Sequence, residues 1–259
     1  MTIRFIILGS GSSMGVPRAD GYSGVCDLKN KKNHRTRCSA IITSKDENIL
    51  IDTSPDLRQQ LLHNKIKSVD RVFYTHFHAD QTHGINDLRP FFMIKKKPIP
   101  VFADKKTSTY LYQTFRYCFK SSYDYPSILK LYNLKKKHIF KDKNKDEKIS
   151  IESITVKHGK IDSLCYLINN KLAYVSDISL FYKKDIKRLK GLKFLIIDCL
   201  WYKNHSAHFN LDQVLDLVKE LKPKKTILTN MHSDFDYKVL KKSLPKNIIP
   251  GYDGLSVEL

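Results

Sequence analysis

Thr75-His76-Phe77-His78-Ala79-Asp80-Gln81-Thr82-His83-Gly84 follows directly on the apolar run Val69 to Tyr74. Such a run, ending in a dense set of imidazoles and a carboxylate, reads as a buried strand delivering metal ligands to a loop. In extended backbone alternate side chains point the same way, so His76, His78 and Asp80 are expected to emerge on one side. The two imidazoles offer nitrogen donors suited to zinc, iron or manganese, and the carboxylate adds the negative charge a divalent cation needs. A cation so held lowers the pKa of a bound water towards about 7 and yields hydroxide at neutral pH.

The same rhythm extends in both directions. Ile3 to Leu8 runs into the small-residue turn Gly9 to Gly15, and strands are predicted at Ser39 to Thr43 and Asn48 to Ile51, the latter ending at Asp52. Pro55 precedes an amphipathic segment with Leu57, Leu61 and Leu62 on one face, which predicts a helix capped by Thr53 or Ser54. Further on, Ile149 to Val156 ends at His158, Leu172 to Val175 at Asp177, and Leu192 to Ile197 at Asp198. Thr226 to Leu228 runs into Thr229-Asn230-Met231-His232, and Asn210 with Gln213 forms a capping box ahead of a helix containing Leu211, Val214, Leu215 and Val218. Strands interleaved with helices predict an α/β fold in a single domain over residues 1–259, no linker dividing the chain. Ser121 to Glu147, rich in Lys, Tyr, Asp and Asn and without clear periodicity, reads as an insertion or mobile flap.

The net charge of +20 is the ordinary mark of a polyanionic partner. Lysine supplies most of it, in a chain also rich in Ile, Asn and Tyr, so codon bias is a sufficient cause. Lys95 to Lys97, Lys135 to Lys137 and Lys222 to Lys225 are scattered rather than gathered with aromatics, and nucleic acid is therefore not the favoured partner. No apolar run approaches the roughly 18 residues that span a bilayer, so no membrane association is expected and a cytoplasmic location is. The five cysteines are odd in number and form no CxxC pair, which excludes a disulfide framework.

Taken together, these motifs resemble the metallo-β-lactamase superfamily, in the branch of the phosphoribosyl cyclic phosphate phosphodiesterase of phosphonate breakdown, near tRNA 3′-processing endonucleases and pyrroloquinoline-quinone synthesis protein B. The resemblance rests on Leu8 to Ser13, Gly15-Val16-Pro17-Arg18, Asp52-Thr53-Ser54-Pro55-Asp56, His76 to Gln81, His158-Gly159, Ser176-Asp177, Thr229 to His232 and Tyr252-Asp253-Gly254. It implies an αββα sandwich of two mixed sheets flanked by helices, with the metal at their shared edge. His76, His78 and His158 would hold the first metal, Asp177 would bridge, and Asp80 would bind a second metal or orient the attacking water. Asp52 would brace the ligand loops by hydrogen bonds.

Two positions depart from the family pattern: Gln81 and Asn230 stand where histidines are expected, with His232 two residues further on as the substitute. Amide oxygens are weaker, harder ligands, so one tight site for zinc or manganese, or iron, is expected, with the second weak or absent. By resemblance His208 is the candidate general acid, ahead of His205. Arg35 and Arg37 in Asn33 to Arg37, and Arg89, could clamp a phosphate or instead form buried ion pairs. The leading reading is a phosphodiesterase for a small cyclic or nucleotide-like phosphodiester, acting through metal-bound hydroxide. The alternatives are an iron-dependent redox enzyme and a metal-poor nucleic-acid-binding protein. A homodimer is compatible with the sequence, which marks no interface.

Overall fold

Runs of Ile, Val, Leu and Phe build the central strands, because a strand covered on both faces needs apolar residues at consecutive positions. In the computed structural model, which describes residues 2–141 and 148–259, the chain forms β1 (Arg4–Gly9), β2 (Ser39–Thr43), β3 (Asn48–Ile51), α1 (Leu57–His63), β4 (Arg71–Phe73), α2 (Ala79–Thr82), α3 (Arg89–Lys95), β5 (Ile99–Ala103), α4 (Lys105–Thr114), α5 (Arg116–Phe119) and β6 (Leu129–Asn133). There follow β7 (Lys137–Lys141), β8 (Lys148–His158), β9 (Ile161–Ile168), β10 (Leu172–Val175), β11 (Leu180–Phe181), α6 (Lys183–Ile186), β12 (Phe194–Asp198), α7 (Leu211–Leu221), β13 (Lys225–Thr229), α8 (Tyr237–Ser243), β14 (Ile248–Pro250) and β15 (Ser256–Glu258). One mixed sheet has the order β15-β1-β2-β3-β4-β5-β6, the other β11-β8-β9-β10-β12-β13-β14, with β7 also paired to β8.

The inner faces of the sheets meet over Phe5, Ile7, Phe73, Tyr166, Tyr174 and Ile196. The Tyr166 hydroxyl crosses from β9 to donate to the Tyr74 carbonyl at 2.6 Å. Outside the first sheet, Leu57, Leu61 and Leu111 of the helices cover Val72 and Val101; outside the second, Val214, Val218 and Leu240 cover Ile197 and Leu228. The layers are helix, sheet, sheet, helix, the αββα sandwich expected from the sequence.

This arrangement collects the reactive residues. β3 and β4 are parallel, as are β10, β12 and β13, and β8 runs the same way as β10 through antiparallel β9. Asp52, the His76 loop, His158, Asp177, Asp198 and Asn230 therefore all lie at carboxyl ends of strands, where sheets of this kind place their sites. Two exits bend sharply: Asp52 (φ 62) and Asn230 (φ 59) are left-handed, a conformation that short polar side chains tolerate best. Gly84 donates its N–H to the Thr53 carbonyl at 2.9 Å, and a Cβ there would fall 1.9 Å from the Ser54 carbonyl oxygen, so only glycine lets the His76 loop lie against the exit of β3.

Three expectations are corrected. The helix after Pro55 begins at Leu57 with Asp56 at its N-cap and no side-chain cap. Thr53 and Ser54 are fully buried and spent elsewhere, Thr53 on the Tyr74 hydroxyl and the Thr82 carbonyl and Ser54 on Gln60. The stretch read as an insertion or flap carries β6, which extends the first sheet, and β7, whose Phe140 packs edge-on against Phe73 at 6.1 Å. Exposed lysines on these edge strands hide their period of two, and residues 142–147 of that stretch lie outside the described residues. Finally, the extended backbone stops at His78, the N-cap of α2, so Asp80 sits in a helical turn and does not alternate with the histidines. All five cysteines are free and buried, and among the described residues no helix is long and apolar enough to cross a membrane.

Asp253 fastens the C-terminal signature to the N-terminal loop. Its carboxylate accepts from Ser10 N and Oγ at 2.9 Å each and from Thr36 N and Oγ1 at 2.7 and 2.6 Å. Asp253→Asn turns one acceptor into a donor that faces donors, and should cost about 2–4 kcal/mol in urea unfolding, the usual scale for stranding buried polar groups. An unchanged midpoint would show that this cluster does not tie the two ends together.

Candidate metal centre

The site begins with a buried carboxylate. Asp52 accepts from Thr75 N at 2.7 Å and from Thr75 Oγ1 at 2.8 Å; burial pushes its pKa well above the usual carboxylate range, while these two donors oppose the shift. Thr75 Oγ1 lies 3.1 Å from His76 Nδ1. Because the hydroxyl hydrogen is committed to Asp52, the oxygen accepts from Nδ1–H, which leaves the lone pair of His76 on Nε2. That Nε2 is buried with no hydrogen-bond partner among the described residues. Burial also lowers the His76 pKa to about 3, so the ring is neutral.

His158 is oriented by similar logic. Its Nδ1 lies 2.8 Å from the Ala207 carbonyl, which can only accept, so Nε2 carries the lone pair. That atom is 3.3 Å from His78 Nδ1, and burial, then the neighbouring His158, lowers the His78 pKa. Ring nitrogens of His76, His78 and His158 lie within 4.8 Å of one another, and His158, Asp177 and His208 form a second such group. An orphaned buried lone pair, two further imidazoles whose other nitrogens face the protein or each other, and an adjacent buried carboxylate suit a borderline divalent cation well.

Of the residues singled out in the sequence, the fold thus brings His76, His78, His158 and Asp177 together. Asp80 is not in either converging set; it shares a donor with Asp177 instead, since Gln81 Nε2 donates to Asp80 Oδ2 at 3.0 Å and to Asp177 Oδ2 at 3.3 Å. Asn230, rather than His232, reaches this centre, its Nδ2 lying 2.8 Å from the Ser176 carbonyl and 3.2 Å from Asp177 Oδ1. His232 lies further out, its ring 5.2 Å from that of Trp201. His208 Nδ1 is 2.7 Å from Asp198 Oδ2 and 4.0 Å from Asp177 Oδ1. Burial works against a charged His208, but Asp198 and then Asp177 outweigh it and lift its pKa to about 9, while burial raises Asp198 to about 6. Near pH 7 the pair is imidazolium and carboxylate.

The centre opens into a cavity of about 470 Å³ walled by Met14, Leu200 and Trp201 and rimmed by His205, His208 and His232. Among the described residues no arginine lines it. Arg35 is buried behind it and braces the carbonyls of Phe235 and His232 at 2.9 and 3.0 Å; Arg37 pairs with Asp56 at 2.7 Å, and Arg89 lies over the Tyr125 ring at 4.6 Å. The arginine cluster is therefore bracing and not a phosphate clamp. Sequence reading passed over Trp201 and Met14, although a sole tryptophan three residues after a strand-end carboxylate was a usable signal.

Residues 47–231 match the family model described as a beta-lactamase superfamily domain. The crystal structure of a diphosphatase from the PhnP family is 29% identical and superposes with a TM-score of 0.87, covering 100% of this chain and 98% of that one. Human tRNase Z, short form, is 15% identical with a TM-score of 0.68 over 98% of both chains, a likeness of fold. An octanoyltransferase from Porphyromonas gingivalis is 33% identical over 258 residues, 98% of this chain and 51% of that protein, so the chain spans about half the length of that curated relative.

His76→Ala and His158→Ala each remove a converging nitrogen but little core volume. Both should abolish tight divalent-metal binding, read by elemental analysis after dialysis, while thermal unfolding stays cooperative. Unchanged metal content in both variants would sink the assignment of this centre.

Proposed function

Because this chain belongs to the β-lactamase superfamily and carries its metallohydrolase fold, we propose that it hydrolyses a small phosphodiester or diphosphate with the help of one bound divalent cation. The observation that carries the reading is the orphaned Nε2 of His76 converging with His78 and His158 beside Asp177 at the base of the cavity. The likeness at 29% identity to a protein described as a diphosphatase supports chemistry at phosphorus. The cation, zinc, manganese or iron, would be held by His76, His78, His158 and Asp177, and would supply Lewis acidity and an activated water.

The protein's own groups do the rest. Asp52 and Thr75 hold His76 in the tautomer that leaves Nε2 unprotonated. Ser12 and Ser13 border the cavity and offer neutral donors for phosphate oxygens, and Trp201, Leu200 and Met14 exclude water around the organic part of the substrate. Water adds to phosphorus and gives up a proton to the Asp80 carboxylate in the cavity wall, the bond to the leaving oxygen breaks, and His208 gives that oxygen the proton on Nε2 while Nδ1–H stays bound to Asp198. His232, at the rim beside Trp201, contacts substrate. Acyl transfer, the activity named for the relative from Porphyromonas gingivalis, is the second reading, motivated by the 33% identity. It needs a nucleophile, and every cysteine here is buried.

A panel of phosphodiesters, diphosphates and acyl thioesters, assayed with added zinc or manganese, tests the reading. Turnover of phosphorus substrates that is lost in His76→Ala supports it; turnover of acyl donors alone refutes it. His208→Ala should keep its metal and lose about 10²–10⁴-fold in turnover for esters with poor leaving groups, with little loss for activated ones. Loss of metal in this variant would instead make His208 a ligand, as its closeness to His158 and Asp177 allows.

A further inference from the structure

A half-buried carboxylate, Asp80, and a buried one, Asp177, approach one another closely enough to share a donor. Like charges so placed repel one another. Paired carboxylates in a low-dielectric site need cationic or hydrogen-bonding compensation, and a divalent ion between them is one solution. Here the space facing them is occupied by amides. Gln81, fully buried, donates through Nε2 to both acids. Asn230 meets the other oxygen of Asp177, and two acceptors against one N–H set its orientation: the atom 3.2 Å from Asp177 Oδ1 and from His208 Nδ1 is also 2.8 Å from the Ser176 carbonyl, which can only accept. It is therefore the NH₂ and not the amide oxygen. The left-handed backbone of Asn230 aims it there.

We propose that Gln81 and Asn230 replace a second metal ion in this chain: their N–H groups, and not a cation, neutralise and position Asp80 and Asp177, so that the centre is mononuclear. Both oxygens of Asp177 are engaged by NH₂ groups, which have no lone pair to offer a metal. A second ion would have to turn both amides round, and for Asn230 that would set its oxygen against the Ser176 carbonyl. Gln81 Oε1, buried without a hydrogen-bond partner, marks what the arrangement sacrifices: the amide leaves its own acceptor unsatisfied in order to give both hydrogens of Nε2 to the two acids, a cost that only a strong demand for donors would offset. Gln81 and Asn230 are thus positioning residues, acting through the acids.

The inference rests on the metallohydrolase reading, and ion counting separates the two. Elemental analysis and equilibrium dialysis with zinc and with manganese should find about one tightly held ion per wild-type chain. Gln81→Glu, nearly isosteric, exchanges the shared donor for a third carboxylate, and should raise the count to about two with manganese, and make its melting temperature rise with the second equivalent, unlike the wild type. The Gln81→His, Asn230→His double variant should do the same with zinc, each single change achieving less because both act on one ion. Two tight ions in the wild type, or a count of about one in folded Gln81→Glu and in the folded double variant, overturns the proposal and leaves the hydrolase reading standing. No tight ion in the wild type removes both.

Discussion

The centre depends on the hydrogen-bonded line from Asp52 through Thr75 to His76. Asp52 leaves β3 in a left-handed turn, and Thr75 begins the loop after the neighbouring parallel strand β4. A fully buried carboxyl group satisfied by the backbone and hydroxyl of one residue fixes the spacing of those two exits more firmly than apolar contact could, because breaking it strands buried polar atoms. The consequence reaches the chemistry. With its hydroxyl hydrogen spent on Asp52, Thr75 can only accept from His76, and the lone pair of His76 is thereby directed inward.

Around that line the electrostatics divide into two zones. On the His76 side burial keeps the imidazoles neutral, with lone pairs free for a cation. On the His208 side a buried carboxylate, Asp198, turns the same side chain into a cation at the mouth of the cavity. Asp177 lies between, its charge opposed by burial yet favoured by the imidazolium of His208. One residue type is thus set as a neutral donor or as a cation according to whether its second nitrogen faces a hydroxyl or a carboxylate.

The cavity wall follows from the second sheet. The chain after β12 passes Leu200 and Trp201, exposes His205, and returns through Ala207 and His208 to the capping box at Asn210 that starts α7. Ala207 orients His158 through its carbonyl while His208 faces Asp198. A short loop therefore sets both the ligand tautomer and the ion pair, and Trp201 is held on its flank by Asp234, which accepts from the indole N–H at 2.5 Å.

The strands, the αββα layering and the arrival of His76, His78, His158 and Asp177 at strand ends were legible in the sequence because each rests on a local pattern: an apolar run followed at once by a chemically distinctive residue. The Asn210 and Gln213 capping box was legible for the same reason, since both halves of the interaction lie within one helical turn. β6 and β7 were not, because exposed lysines on edge strands mask the alternation that packing against Phe73 and Phe102 reveals. Nor could the sequence decide between Asn230 and His232, or tell whether Arg35 faces a ligand or the Phe235 carbonyl, or pair His208 with Asp198. Those outcomes turn on which side of a bent backbone a side chain leaves and on what another strand brings opposite it. Local sequence determined which groups reach the edge of the sheets; only the packing of the two sheets decided which nitrogen of each histidine is free, and whether an amide meets a carboxylate through its NH₂ or its oxygen.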